Sequence, residues 1–502
     1  MEAPATSGRP PAGFMTLTSW PLLYHSTAGS TSQGDFAQAS HADFSTQQPS
    51  APIRLPTRAW LPSFRLGGSG SNKWSSKSHL HRPFALGVGA GTGGSMLNGS
   101  VGAAQLGGFW PFKSKAKTKG NAKKRILVLM SDTGGGHRAS AEAIRSGFQI
   151  LYGNQYHLDI VDIWSQHTPW PMNQIPKTYS FLVKNGFLWR FGYYTQQPRF
   201  MHVPFLKMTA VTARRHIAAV FDHYNPDLIV SVHPLLQLVP LTILQNRIKA
   251  GIQRPIKFAT VVTDLTTCHN TWFHKNVDRC FVATEEAKQR ALTMGVGQHK
   301  VTVHGLPIRP SFSQKLPSKH RLRQQLGMGL QKPAVLLVGG GEGMGAIEKI
   351  VQALVEQVGS ACQVVAICGR NRGLIKRLEA KPYPAGMQVT IKGFVDNMPE
   401  WMTACDMIIS KAGPGTIAES FICGLPVLLN GFVPCQEEGN VPFVLKHQVG
   451  TYEDKPAKIA QIIHGWVHEK RGELAAMAAR AKEMGQPQAV FRIVEDLATM
   501  CA

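Results

Sequence analysis

The chain of 502 residues is 43% hydrophobic and 8% aromatic, long and apolar enough for two or three domains with buried cores, which excludes a disordered polymer. Its formal charge of +24 implies an anionic partner: nucleic acid, an acidic membrane surface or a phosphorylated substrate. No run approaches the ~18 to 20 apolar residues that a spanning helix needs, so any meeting with a membrane is from one side.

Residues 1–122 are rich in Ser, Gly, Ala and Pro, and hold eleven Lys/Arg against Glu2, Asp35 and Asp43, leaving +16 for the remainder. That composition predicts an organelle transit peptide followed by a disordered linker. From Lys123 the pattern changes to short β-branched runs alternating with helical stretches. "RILVLMS" leads into a helix predicted over Ala139–Leu151, then "LDIVDI", "DLIVSVHP", "FATVVTD" and "RCFVAT". A second series follows "HGLPIRPSF": "AVLLVGGG", "QVVAICG", "QVTIKGF", "MIISKAG" and "PVLLNG". Strands spaced by helices predict α/β architecture, here two Rossmann-like doubly wound domains facing across a cleft. The expected divisions are 123–312, 313–485, and a C-terminal helix in 486–502 crossing back to the first domain. Ligands of such sheets bind where strands end. Eight cysteines without a C-x-x-C pair point to free thiols in a reducing compartment.

Three glycine-rich turns follow strands: "SDTGGGHRAS" (131–140), "GGGEGMGAIEK" (339–349) and "SKAGPGTIAES" (410–420). Glycine at a strand-to-helix turn lets the backbone approach a phosphate, whose charge the helix's unpaired N–H groups stabilise; close strand-helix packing favours Gly equally. None supplies the Lys-[Ser/Thr] of a P-loop. "GGGHRA" fits a loose dinucleotide turn through Gly134, Gly136 and Ala139, with Asp159 or Asp162 as the acid, so an NAD-dependent oxidoreductase is compatible with the first loop. It leaves the second set of loops without a role. Asp264, Cys268, His269 and His274 lie close together in "TDLTTCHNTWFH", but one cysteine and irregular gaps argue against zinc and for an acceptor-side or interfacial role. Nothing resembles a nucleic-acid-reading module, although a non-catalytic binder of anionic membrane stays compatible with the charge.

Together "SDTGGGHRASAEAI", "SVHPLLQLVPL", "TDLTTCHNTWFHK", "GLPIRPSF", "VGGGEGMG", "ICGRN", "KAGPGTIAES" and "LNGFVPCQEEGNVPFV" resemble the monogalactosyldiacylglycerol synthases of plant and algal plastids, from about Arg125 to Val494. That family is related to the bacterial enzyme adding N-acetylglucosamine to the lipid-linked cell-wall precursor, belongs to glycosyltransferase family 28 and has the GT-B fold. The resemblance implies inverting transfer of galactose from UDP-galactose to diacylglycerol at a plastid envelope, the inner one, by a peripherally attached enzyme. UDP-glucose or UDP-N-acetylglucosamine stays open as the donor, and oligomeric state stays open, a homodimer included.

The resemblance assigns His137 as the base that deprotonates the attacking hydroxyl, kept neutral by the N-terminus of the helix that follows. No metal or cofactor is expected, since GT-B enzymes typically work without one and no D-x-D occurs. The departing UDP would meet the loop backbone at Gly339, Gly340, Gly341, Glu342, Gly343 and Gly345, and at Gly413, Pro414, Gly415 and Thr416, every one but Pro414 offering an N–H. Arg309 would grip a phosphate bidentately. By family likeness, Gly393, Phe394 and Val395 hold the uracil, Glu419 the ribose, and Gln436, Glu437 and Asn440 face the hexose.

Residues 168–208 mix aromatics and aliphatics with Lys177, Lys184, Arg190, Arg199 and Lys207, as an interfacial anchor does. The family is activated by anionic lipid, phosphatidylglycerol in particular, and the resemblance puts Pro171 and Trp272 near that site. Where relatives carry arginine in "HPLxQxVPLR", this chain has Thr242, with Arg247 one turn on.

Overall fold

The computed structural model describes residues 123–501. The transit peptide and linker expected over 1–122 lie outside the described residues.

Two parallel sheets carry the fold. The first contains β1 (Lys124–Met130), β2 (Tyr156–Asp162), β3 (Leu228–Ser231), β4 (Lys257–Val261), β5 (Arg279–Val282) and β6 (Val301–Val303), in spatial order β2-β1-β3-β4-β5-β6. The second contains β7 (Ala334–Val338), β8 (Gln363–Ile367), β9 (Val389–Lys392), β10 (Met407–Ser410), β11 (Val427–Leu429) and β12 (Gly450–Tyr452), in the order β12-β11-β10-β7-β8-β9. The helices used below are α1 (Gly135–Tyr152), α2 (Ile175–Lys184), α3 (Gly186–Thr195), α4 (Arg199–Thr212), α5 (Ile347–Gln357), α6 (Pro414–Cys423) and α7 (Ala489–Met500).

The strands are continuous apolar runs because both faces of each sheet are covered. In β1, Leu127 and Leu129 enter the layer that holds Trp164 and Phe221, whereas Ile126, Val128 and Met130 join Phe148 of α1 and Ile493 of α7. β7 alternates likewise, Leu336 toward Trp401 and Phe421, Val335 and Leu337 toward Ile350 and Trp466. Val128 sits beside Ile160 on one side and Val230 on the other, and Leu336 beside Val365 and Ile408. The last helix packs on the first sheet, with Val494 of α7 against Gly147 of α1.

In each sheet the first strand has its successor on one side and a later strand on the other, β1 between β2 and β3, β7 between β8 and β10. Such switch points open a crevice at the carboxyl ends of the strands. α1 begins at Gly135, four residues before the expected start, because the chain breaks at Gly134, whose φ of 142° only glycine adopts readily, and nothing in Gly135–Gly136 delays the helix. His137 therefore lies inside the first turn.

Candidate active site

Three strand ends of the first sheet converge at its crevice. β1 leads through Asp132 and Thr133 to His137, β3 to His233, and β4 to Thr263 and Asp264. The His137 ring is buried; its Nδ1 lies 2.9 Å from the Thr263 hydroxyl, and the ring meets that of His233 edge-on at 4.6 Å. His233 Nδ1 accepts from the Leu235 N–H at 3.2 Å, so Nε2 carries the proton and donates to the Thr133 hydroxyl at 2.9 Å. Burial lowers the His137 pKa to about 4, against partial support for the cation from the Val232 carbonyl and Asp132. The neutral ring was expected from the helix terminus; the cause that lowers its pKa is desolvation. Asp132 is gripped by Arg138 at 2.6 and 2.9 Å.

Trp272, expected near the anionic-lipid site, lies in the core beside Thr271 and Phe273, which line a cavity. Its side chain is fully buried, 6.1 Å from the His137 ring, and its indole N–H donates to Asp264 Oδ2 at 2.6 Å. Burial raises the Asp264 pKa to about 7, with the indole bond opposing and Glu437 adding to the rise. Pro171 is exposed, next to Trp170 at 78% exposure. His269, for its part, is bonded to Thr271 at 2.8 Å, and among the described residues no three His, Cys, Asp or Glu side chains converge as a metal-binding set.

The two glycine loops of the second sheet differ. In the loop after β7, a Cβ on Gly339 would stand 2.3 Å from Ile347, and one on Gly343 2.1 Å from the Cys368 carbonyl, so packing demands both glycines. Gly340, Gly341 and Gly345 border open space or a distant guanidinium, and Glu342 pairs with Arg370 at 3.1 Å. The first turn of α5 already holds a carboxylate, Glu348, tied to Arg377 and Lys381. The loop after β10 is better suited to an anion. Gly413 precedes α6 without a side-chain cap, Pro414 occupies the first turn, and the space around Gly415, ahead of Thr416, is open. Beside it stands Lys411, which the sequence reading missed although a cation directly after a buried strand was its signal; it pairs with Glu437.

The remaining expected donor residues are distributed around this point. Glu437 is buried and also accepts from the Val433 N–H at 2.9 Å. Arg309 spends one guanidinium N–H on Glu419 at 3.2 Å, lies 5.4 Å from the Phe312 ring and stays partly exposed, with its other N–H donors left over. Burial raises the Glu419 pKa, and Arg309 opposes the rise. Phe394 is exposed and lies under Arg370, Gly393 packs near Ile375, and Val395 rests on the core of the second domain. Asn440 does not face a hexose. It is 1% exposed, donates to the Ala412 carbonyl at 2.9 Å and accepts from the Thr266 hydroxyl at 2.7 Å, so both ends of its amide are occupied.

Asn440 is a crossbar between the domains. Beside it the Gly439 N–H donates to the Thr267 hydroxyl at 2.9 Å, an approach so close that any Cβ on Gly439 would fall 2.0 Å from that oxygen. The loops after β4 and β11 thus meet, bringing the carboxyl ends of both sheets to one seam. The Asp162 carboxylate, the acid a dinucleotide turn would need, is engaged by the N–H groups of Ser165 and Asp132.

Two Rossmann-like domains joined with their strand ends opposed, a buried neutral imidazole on one side and an uncapped helix terminus with a lysine on the other, define the GT-B class of fold. Residues 137–308 match the family model of monogalactosyldiacylglycerol (MGDG) synthase, and 334–488 that of the glycosyltransferase family 28 C-terminal domain. The chain is 49% identical over 380 residues to the "Probable monogalactosyldiacylglycerol synthase, chloroplastic" of Nicotiana tabacum (74% of this chain, 70% of that one). It is 48% identical over 380 residues to the chloroplastic synthase of Spinacia oleracea (74% and 72%), and 47% over 380 residues to synthase 1 of Arabidopsis thaliana (74% and 70%). Among solved structures, Acinetobacter baumannii MurG superposes with a TM-score of 0.47 at 15% identity, covering 75% of this chain and 99% of that one. The chain belongs to the monogalactosyldiacylglycerol synthase family.

Proposed function

We propose that this enzyme transfers galactose from UDP-galactose to the free hydroxyl of 1,2-diacylglycerol, with inversion at the anomeric carbon, releasing UDP at a plastid envelope surface, the inner one. The observation that carries the reading is the neutral His137 held by Thr263 at the seam where the strand ends of both domains meet.

His137 takes the hydroxyl proton as the oxygen attacks the anomeric carbon and the bond to UDP breaks. Asp132 and the Val232 carbonyl favour the imidazolium that results. Charge growing on the diphosphate meets the N–H groups at Gly415 and Thr416 and the ammonium of Lys411, groups oriented before the reaction begins.

The acceptor arrives from lipid. An open depression of about 410 Å³ lies between Asp132 and the Pro176, Lys177, Ser180 and Phe181 side chains of α2. Around it α2, α3 and α4 expose Phe181, Phe187, Phe191, Phe200, Phe205 and Met208, interspersed with basic side chains, and we assign this surface to the bilayer. Among the described residues no helix is long and apolar enough to cross a membrane. Beside α4 a cavity of about 220 Å³ is lined by Arg199, Lys207, Lys275 and Thr242. Activation by phosphatidylglycerol fits these three cations, with Thr242 in place of the arginine expected there.

The test is incubation of the full chain with labelled UDP-galactose or UDP-glucose and diacylglycerol in mixed micelles, with and without phosphatidylglycerol, and analysis of the glycolipid and its linkage. A β-galactolipid is expected. A glucolipid, an α-linkage or no transfer overturns the proposal.

A further inference from the structure

α3 has two unlike faces. Phe187 and Phe191, one turn apart, are 81% and 65% exposed, whereas Trp189 and Tyr193, also one turn apart, point inward. The inward face does not close on its own domain alone. The Trp189 indole N–H donates to the Pro434 carbonyl at 2.8 Å, Arg190 approaches Glu438 at 3.9 Å, and from α2 the Tyr179 hydroxyl donates to Gln436 Oε1 at 2.9 Å. Tyr179 and Trp189 brace each other edge-to-face at 5.1 Å. All three partners lie in the loop Val433–Asn440 of the second domain, the same loop that carries Glu437.

That loop needs holding. Cys435 at its tip has a φ of 64°, a left-handed conformation costly for a residue with a side chain, and its N–H is tied to Glu438 at 3.1 Å. The bond from Tyr179 also anchors the end of the Gln436 side chain.

We propose that Tyr179 and Trp189 are positioning residues through which the lipid-facing helix pair clamps the donor-sugar loop, so that docking to a membrane tightens binding of the nucleotide sugar. This rests on the donor assignment made above. The outward phenylalanines sit in water until a bilayer covers them; once covered, α2 and α3 are held in the position from which their inner faces grip the loop, and the ordering is then complete before donor arrives. Coupling of this kind is reciprocal, so the donor strengthens docking by the same factor.

The experiment measures UDP-galactose affinity of the full chain, free and saturated with phosphatidylcholine–phosphatidylglycerol vesicles lacking diacylglycerol, so that no transfer occurs. The unaltered chain is expected to bind about three- to tenfold tighter on vesicles, the worth of one or two hydrogen bonds, with a smaller gain for UDP alone. Tyr179→Phe keeps the ring and is expected to lose the gain. Phe187→Ser/Phe191→Ser is expected to need more vesicle for saturation and then to show the full gain. Equal affinity with and without vesicles, or a full gain in Tyr179→Phe, overturns the clamp and leaves the donor assignment standing. No UDP-galactose binding by the unaltered chain in either arm overturns the donor assignment and the clamp with it.

Discussion

Thr263, at the end of β4, holds the ring of His137, at the start of α1, by a 2.9 Å contact between its hydroxyl and Nδ1 across 126 residues of sequence. The threonine orients the imidazole. His137→Ala is expected to fold and to lose transfer by about 10² to 10⁴, the usual worth of a general base. Thr263→Val, which keeps the shape and removes the hydroxyl, should lower kcat by about three- to tenfold. Initial rates in mixed micelles check both, and near-normal turnover in His137→Ala removes the assignment.

The pH profile separates a buried base from an exposed one. With its pKa lowered to about 4, His137 stays unprotonated through the neutral range, so the acid limb of kcat/KM should fall near pH 4 and not near 6.5. The same depression links to stability. An imidazole at 6.5 in the unfolded chain and about 4 in the fold binds more protons when unfolded. Its contribution is complete above 6.5 and is lost as pH falls toward 4, about 3 kcal/mol in all. Melting temperatures between pH 7 and 4.5 should fall less steeply in His137→Gln.

Asp264 and Trp272 form a buried pair beside His137. Asp264→Asn keeps an oxygen for the indole and removes a carboxyl that burial holds near pKa 7. A raised carboxyl pKa contributes stability that is complete below about 4, the unfolded value, and is lost as pH rises to about 7, so the asparagine variant should gain more in Tm relative to the parent at pH 8 than at pH 4. Asp264→Ala leaves the indole N–H without a partner and should cost about 1–3 kcal/mol by denaturant melts at pH 4 and less at pH 8, where it also removes a buried charge.

Lys411→Met removes the ammonium beside α6 and leaves the buried Glu437 with only the Val433 N–H. Two effects are expected: stability lower by about 1–3 kcal/mol, and UDP affinity lower by about tenfold or more, because a charge-assisted contact to phosphate is lost. Calorimetric titration with UDP and a thermal melt separate the two. Unchanged UDP affinity would place the diphosphate elsewhere.

Much of the fold was legible because its strands are covered on both faces. "RILVLM", "DLIVS", "AVLLV" and "MIIS" are near-continuous apolar runs, and each glycine turn announces the helix after it. The three-residue edge strands β6 and β12 are too short and half-exposed to stand out. His137 was visible as a polar residue among small ones at a strand end, and the same signal marks His233, Thr263 and Lys411 in hindsight.

What the sequence determined by itself was the two-domain layout and the family, since these follow from local periodicity and ordered blocks of letters. What the tertiary structure decided was which side chains are free. The Trp272 indole is bonded to Asp264, one N–H of Arg309 to Glu419, and the Asn440 amide to Thr266 and Ala412. The grip of Tyr179 on Gln436 spans 257 residues. Burial and hydrogen-bond partners arise only when distant segments close on one another, and that closure, more than residue type, sets a buried group's charge and its freedom to meet a ligand.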